Sequence, residues 1–201
     1  MKLIGSIYLI VCIHFIAFVL IFNAVGQQTG IFIDHRDGKT YSTVKIDNIT
    51  WMSENMTFKP GIGNYWAFDY DEINVEKYGY LYDWPTALSV CPTGWRLPSD
   101  AEWGQLINFV GSNPGDKLKA KNGWNNNGNG TDDYGFKALP GGYRYGDGTF
   151  HDISKNGTWW SSTEYSPYAA WSWCMSYPNR NVSRNFYGNQ WGFSVRCIQD
   201  F

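Results

Sequence analysis

Cysteines, an Asn- and Asp-rich loop and a surplus of indoles are the parts of this 201-residue chain equipped for chemistry. Of its four cysteines, Cys12 lies in an apolar N-terminal run, which leaves Cys91, Cys174 and Cys197. Three thiols close at most one intramolecular bridge. Cys91 precedes a capped helix, while Cys197 sits in "GFSVRCI", where the alternation of Phe193, Val195 and Cys197 predicts one inward face of a terminal strand. A Cys91–Cys197 bridge would tie that strand to the first helical layer. It would close a loop of roughly 100 residues, for which the chain-entropy account gives about 4 to 5 kcal/mol. Cys174, in "WSWCMSY", has no histidine near it in sequence and is expected as a buried apolar residue.

The loop "NGWNNNGNGTDDYGF" carries Asn125, Asn127, Asn129 and Gly130 at the oxygen spacing of a calcium loop. The carboxylate expected six residues after the glycine is replaced by Phe136. Calcium, if bound, would therefore fall to Asp132 and Asp133, and no other cofactor is expected. The competing reading is a set of turns in which Asx side chains hydrogen-bond the backbone. Among eleven tryptophans, Trp51, Trp95, Trp103, Trp159 and Trp191 read as core. Trp66, Trp124, Trp171 and Trp173 are the candidates for exposure. A ligand surface is expected from Trp124, Asn125, Asn127, Trp171 and Trp173, indoles for stacking and amides for hydroxyl groups. Catalysis finds less support. Glu54, Asp100, Glu102 and Glu164 are carboxylates able in principle to pair, but capping already explains Glu102. The histidines His14, His35 and His151 suggest no Ser-His-Asp arrangement, so no catalytic residue is assigned and no enzyme is expected.

These side chains must be positioned by short elements. Aromatics make up 18% of the chain and it holds 22 glycines, which suits short strands and tight turns in one domain better than long helices. Residues 1–26 read as a signal peptide: Lys2, an apolar run of about 20 residues, then Ala24-x-Gly26 before Gln27. A retained membrane anchor is the alternative, and the only route to a membrane. Removing Lys2 from 16 basic residues leaves 15 against 18 acidic ones, without a basic run, which argues against a nucleic-acid partner. Two strands, "KTYSTVKI" and "ITWMSEN", are expected to form a hairpin across Asp47-Asn48. A short helix is expected over residues 85–90, and a second begins at the capping box Ser99-x-x-Glu102 and stops at Gly111. Residues 60–82 are aromatic and irregular and admit no assignment. Beyond the Asn-rich loop, "YGFKALPGGYRYGDGTF", with turns at Gly141-Gly142 and Gly146-Asp147-Gly148, then "GTWWSSTE", "AAWSWCMSY" and "WGFSVRCI" read as strands separated by turns. No internal repeat or linker divides 31–201.

The segments "TVKIDNITWMSENM", "CPTGWRLPSDAEW", "NGTDDYGFKALPGGYR", "WWSSTE" and "YGNQWGFSVRC" resemble the Fibrobacter succinogenes major paralogous domain, over residues 34 to 200. Their order also resembles the C-type-lectin-like fold, in which two helices and a terminal strand are tied by a bridge like Cys91–Cys197. The resemblance implies an α+β domain with two short helices, short antiparallel strands and long loops. It further implies an exported or surface-exposed bacterial protein; a non-enzymatic module for an extracellular glycan or a surface protein is expected, with a purely structural surface protein as the alternative. The calcium-dependent lectin site is not expected, because Tyr177-Pro178-Asn179 lacks its carboxylate and no Asp follows Trp191. Arg96 to Trp103 also resembles formylglycine-generating enzymes, whose copper needs two thiolates. With Cys91 and Cys197 bridged, only Cys174 remains.

Overall fold

The computed structural model describes residues 27–200, so the expected signal segment at 1–26 lies outside the described residues. The chain opens with a three-stranded antiparallel meander: β1 (Thr29–Ile33), β2 (Thr40–Ile46) and β3 (Ile49–Met52). The expected hairpin turn is present, with Asp47 in the left-handed region at φ 55° that a short polar residue tolerates.

Residues 60–82 fold into β4 (Tyr65–Trp66), a helical turn at Phe68–Tyr70, helix α1 (Ile73–Tyr78) and β5 (Leu81–Tyr82). Gly79 ends α1 at φ 77°, where an added Cβ would lie 2.7 Å from the Met56 carbonyl; only glycine fits there. Helix α2 (Trp84–Ala87) is capped by Asp83, which accepts from the Thr86 amide at 3.1 Å, and Pro85 fills its first turn. After β6 (Trp95–Arg96) comes α3 (Asp100–Val110), with the expected box in both directions: Ser99 Oγ accepts from the Glu102 amide at 3.3 Å, and Glu102 Oε2 accepts from the Ser99 amide at 2.8 Å. Helix α4 (Pro114–Leu118) follows. Four helices among the described residues correct the expectation of two: α1 and α4 are single turns of mixed composition, too short to display helical periodicity.

The second half is β7 (Gly141–Arg144), β8 (Phe150–Ile153), β9 (Asn156–Ser166), β10 (Ala169–Ser176), β11 (Val182–Gly188), β12 (Phe193–Ser194) and β13 (Ile198–Gln199). One sheet runs β1-β2-β3-β13-β6; the other runs β11-β10-β9-β12-β5-β4, with the β7–β8 hairpin joined to β9. The molecule is thus a mixed α and β domain. The single terminal strand expected at 191–198 is divided, because the chain leaves the larger sheet at Ser194 and enters the smaller one at Ile198. Passing between two sheets, it buries both faces, Ser194 and Arg196 included.

Adjacent residues of β9 serve two cores. Trp159 packs with Trp51, Trp103 and α3, while Trp160 stands 4.3 Å from the Phe193 ring among Tyr82, Val195 and Cys197. Cys91 and Cys197 are bridged across a sequence separation of 106, which pins the last strand to the α2 side of the first half.

Candidate functional site

The expected ligand surface does not form as a unit. Trp124 is only 5% exposed, because its indole N–H donates to the Ala138 carbonyl at 3.0 Å and its ring joins the core beside Leu118 and Phe136. Trp173 is 8% exposed, stacked on Trp103 with its N–H on Asp100. Neither presents an indole face to a ligand, which corrects their assignment. Trp66 is half-buried beneath the Arg144 guanidinium, 4.0 Å from its ring. Asn125 and Asn127 are exposed, and Asn127 lines a cavity of about 310 Å³ with Asp116, Lys119 and Tyr177. Lys119 is buried there with its ammonium donating to the Ser176 and Asn179 carbonyls; burial pushes its pKa down. That amine holds a turn together.

Asp132 and Asp133 are not gathered with these amides. Asp132 accepts from the Lys137 amide at 2.8 Å, whereas Asp133 lines a different cavity with Phe109 and Tyr134. The Asn129 side chain accepts from the Trp124 amide at 3.0 Å, so this Asx side chain is spent on the loop's own backbone. Among the described residues no three His, Cys, Asp or Glu side chains converge as metal ligands. Trp171 alone of the three expected indoles reaches the surface region. It lies under the Arg184 guanidinium at 3.3 Å, beside Tyr165 and Phe186, whose rings stack 3.8 Å apart.

A second aromatic surface was missed from sequence. In the β7–β8 turn, Asp147 Oδ1 accepts from the Thr149 amide at 2.9 Å and its hydroxyl at 2.7 Å, a local Asx turn. These bonds hold the Asp147 carboxyl below the usual carboxylate range. A Cβ on Gly146 would lie 2.7 Å from Gln190 Cγ, so glycine lets this turn close on the chain before β12. Tyr145 then meets Trp191 edge to face at 4.4 Å, and the two line a shallow cavity of about 380 Å³ with Gly146, Asp147 and Gln190. Gln190 is shared with a second cavity of about 250 Å³, bounded by Asp83, Pro85, Pro167, Tyr168 and Asn189. Tyr168, at the β9–β10 turn, is 83% exposed.

Asn189 organises this junction. Its amide donates to the Tyr168 carbonyl at 2.9 Å and its carbonyl accepts from the Trp84 amide at 3.0 Å. The side-chain Nδ2 donates to the Pro167 carbonyl, which fixes the orientation of the amide. Its Oδ1 is buried and has no protein donor. The combination is a strip of Tyr145, Trp191, Gln190, Asn189 and Tyr168, two amides flanked by aromatic rings. In sequence it was split between a turn read only for its glycines, a Trp read as core and an isolated Tyr.

The nearby histidine is not arranged for nucleophile activation. His151 Nε2 is 2.9 Å from Thr149 Oγ1, but that hydroxyl's one proton goes to Asp147. The imidazole must therefore donate to the threonine, the reverse of a general base. Burial, with hydrogen bonds to Tyr145 and Asp152, pushes the Tyr143 hydroxyl up. Cys174 is half-buried opposite Thr158 and Ser183, and burial pushes its thiol up and away from the thiolate. The four candidate carboxylates are separately engaged or exposed: Glu54 with Ser42, Asp100 with Arg184, Glu102 with Arg96, and Glu164 at the surface.

Among known proteins, the family described as the Fibrobacter succinogenes major domain has a model that matches residues 44–199. Neither the curated proteins nor the solved structures offered a match.

Proposed function

Starting from the fact that the chain belongs to the Fibrobacter succinogenes major domain family, we propose that it is an exported or envelope-exposed, non-enzymatic module that binds carbohydrate. The architecture is taken as C-type-lectin-like, a reading supported by the two sheets, the helices packed on them and the bridge from Cys91 to the last strand. An oxidising compartment outside the cytoplasm favours that bridge. One observation carries the binding role. The Tyr145–Trp191–Gln190–Asn189–Tyr168 strip combines aromatic rings with amides beside two cavities, and Gln190, exposed and shared by both cavities, presents an amide that a ligand hydroxyl would meet. Apolar faces of pyranose rings pack on such aromatics while their hydroxyls reach the flanking amides.

A glycan-array screen of the purified protein, with and without calcium, tests this. Binding to a defined set of glycans, unchanged when calcium is chelated, is the expected result, since the strip includes no cluster of cation ligands. Retention of no glycan under either condition contradicts it.

A further inference from the structure

The charge and donor balance of the strip narrows its ligand. Resting on the carbohydrate reading above, we infer that the strip takes a neutral, hydroxyl-rich glycan spanning more than one sugar unit, and discriminates against polyuronates.

No lysine or arginine lines either cavity; the charged lining residues are Asp83 and Asp147. Asp83 is buried and spent on the α2 cap and on Asn64, so Asp147 is the charge a ligand meets. Only Oδ1 of Asp147 is engaged by Thr149, leaving Oδ2 as an open acceptor. Arg144 is near enough to help hold the Asp147 carboxyl low, but it does not line the cavity. Its guanidinium lies over the Trp66 ring and donates to the Tyr145 carbonyl, beneath the turn rather than among the lining groups. The strip therefore offers one charged acceptor, Asp147 Oδ2, and one exposed side chain, Gln190, able to accept or donate. Groups of this kind ask for donors. Sugar hydroxyls supply them, whereas a uronate carboxylate brings acceptors and a like charge against Asp147.

Length follows from geometry. Tyr145 and Trp191 bound one cavity and Tyr168 the other, with Gln190 shared between them. A single ring occupies one side, while an oligosaccharide engages both and gains the second contact without a second loss of translational freedom.

Isothermal titration of the full protein tests both parts, using neutral hexasaccharides (cello-, manno- and xylohexaose), their monosaccharides, and hexagalacturonate and hexaguluronate at low ionic strength. At least one neutral hexasaccharide is expected to bind about tenfold or more tighter than either uronate and than its own monosaccharide. Tyr168→Ala, at an exposed position that leaves the core untouched, should weaken that binding. A uronate that binds as tightly as the best neutral ligand overturns the inference while leaving the carbohydrate reading intact. Equal affinity for hexasaccharide and monosaccharide removes the length argument; binding of no sugar in the panel overturns the inference, and a blank glycan array overturns the reading with it.

Discussion

Arg196 shows most sharply how residue-level physics is arranged in this domain. It is fully buried, and its guanidinium donates to the Phe136 carbonyl and, through Nε and Nη2, to Asn55 Oδ1, with the Phe136 ring 4.3 Å away. Burial pushes its pKa down to about 9, so it is still a cation at neutral pH, solvated by neutral groups. Asn55 is the hinge of this arrangement. Its Oδ1 also accepts from Trp159 Nε1 at 2.9 Å, and its Nδ2 donates to the Tyr78 carbonyl and to Ser194 Oγ. Asn55→Ala strands a buried charge and should lower unfolding stability by about 3 kcal/mol in urea titration. A change under about 1 kcal/mol would mean that water replaces the amide there. None of this was legible in "GFSVRCI". The alternation of Phe193, Val195 and Cys197 was readable and all three are buried, but an arginine between them reads as the solvent face of a strand unless one knows that both faces are covered.

At the scale of elements, legibility followed local chemistry. Helix α3 was readable because its cap, its apolar spacing and its stop are all written within a dozen residues; α2 was readable from Asp83 and Pro85. Strand β11 was not, because "VSRNFYG" is a sheet edge with polar and exposed residues and little alternation. Residues 60–82 escaped assignment because their order comes from distant partners, such as Tyr80 bonding the Met56 carbonyl and Tyr65 pairing with Tyr82. The α3 cap carries a pH dependence. Although burial works to raise it, the Glu102 carboxyl is held below its ordinary value by Arg96 and by the Ser99 amide and hydroxyl. A carboxylate depressed in the folded state stabilises above its unfolded pKa of about 4.3, and loses that contribution as pH falls through the lower folded value. The wild type should therefore exceed Glu102→Gln in thermal midpoint at pH 7, with the gap closing in acid below about pH 4. A gap independent of pH would assign the effect to shape alone.

For the whole molecule, the two halves are fastened by the Cys91–Cys197 bridge and by β13, which inserts between β3 and β6. This fastening was foreseeable from cysteine placement. The ligand surface was not, because a tryptophan in an Asn-rich loop looks exposed until its N–H is seen on Ala138. Its replacement, the strip from Tyr145 to Tyr168, draws on the β7–β8 turn, the segment before β12 and the β9–β10 turn, three places far apart in sequence that only the larger sheet brings together. Trp171, with Tyr165 and Phe186, forms a separate aromatic cluster on the β9–β11 region and serves as an internal control. The most direct measurement is the affinity of the best array glycan for the wild type, Tyr168→Ala and Trp171→Ala, each checked for an unchanged thermal midpoint. Tyr168→Ala should weaken binding by more than about 1 kcal/mol while Trp171→Ala leaves it unchanged. Loss of binding in Trp171→Ala with full affinity in Tyr168→Ala would contradict the placement of the site.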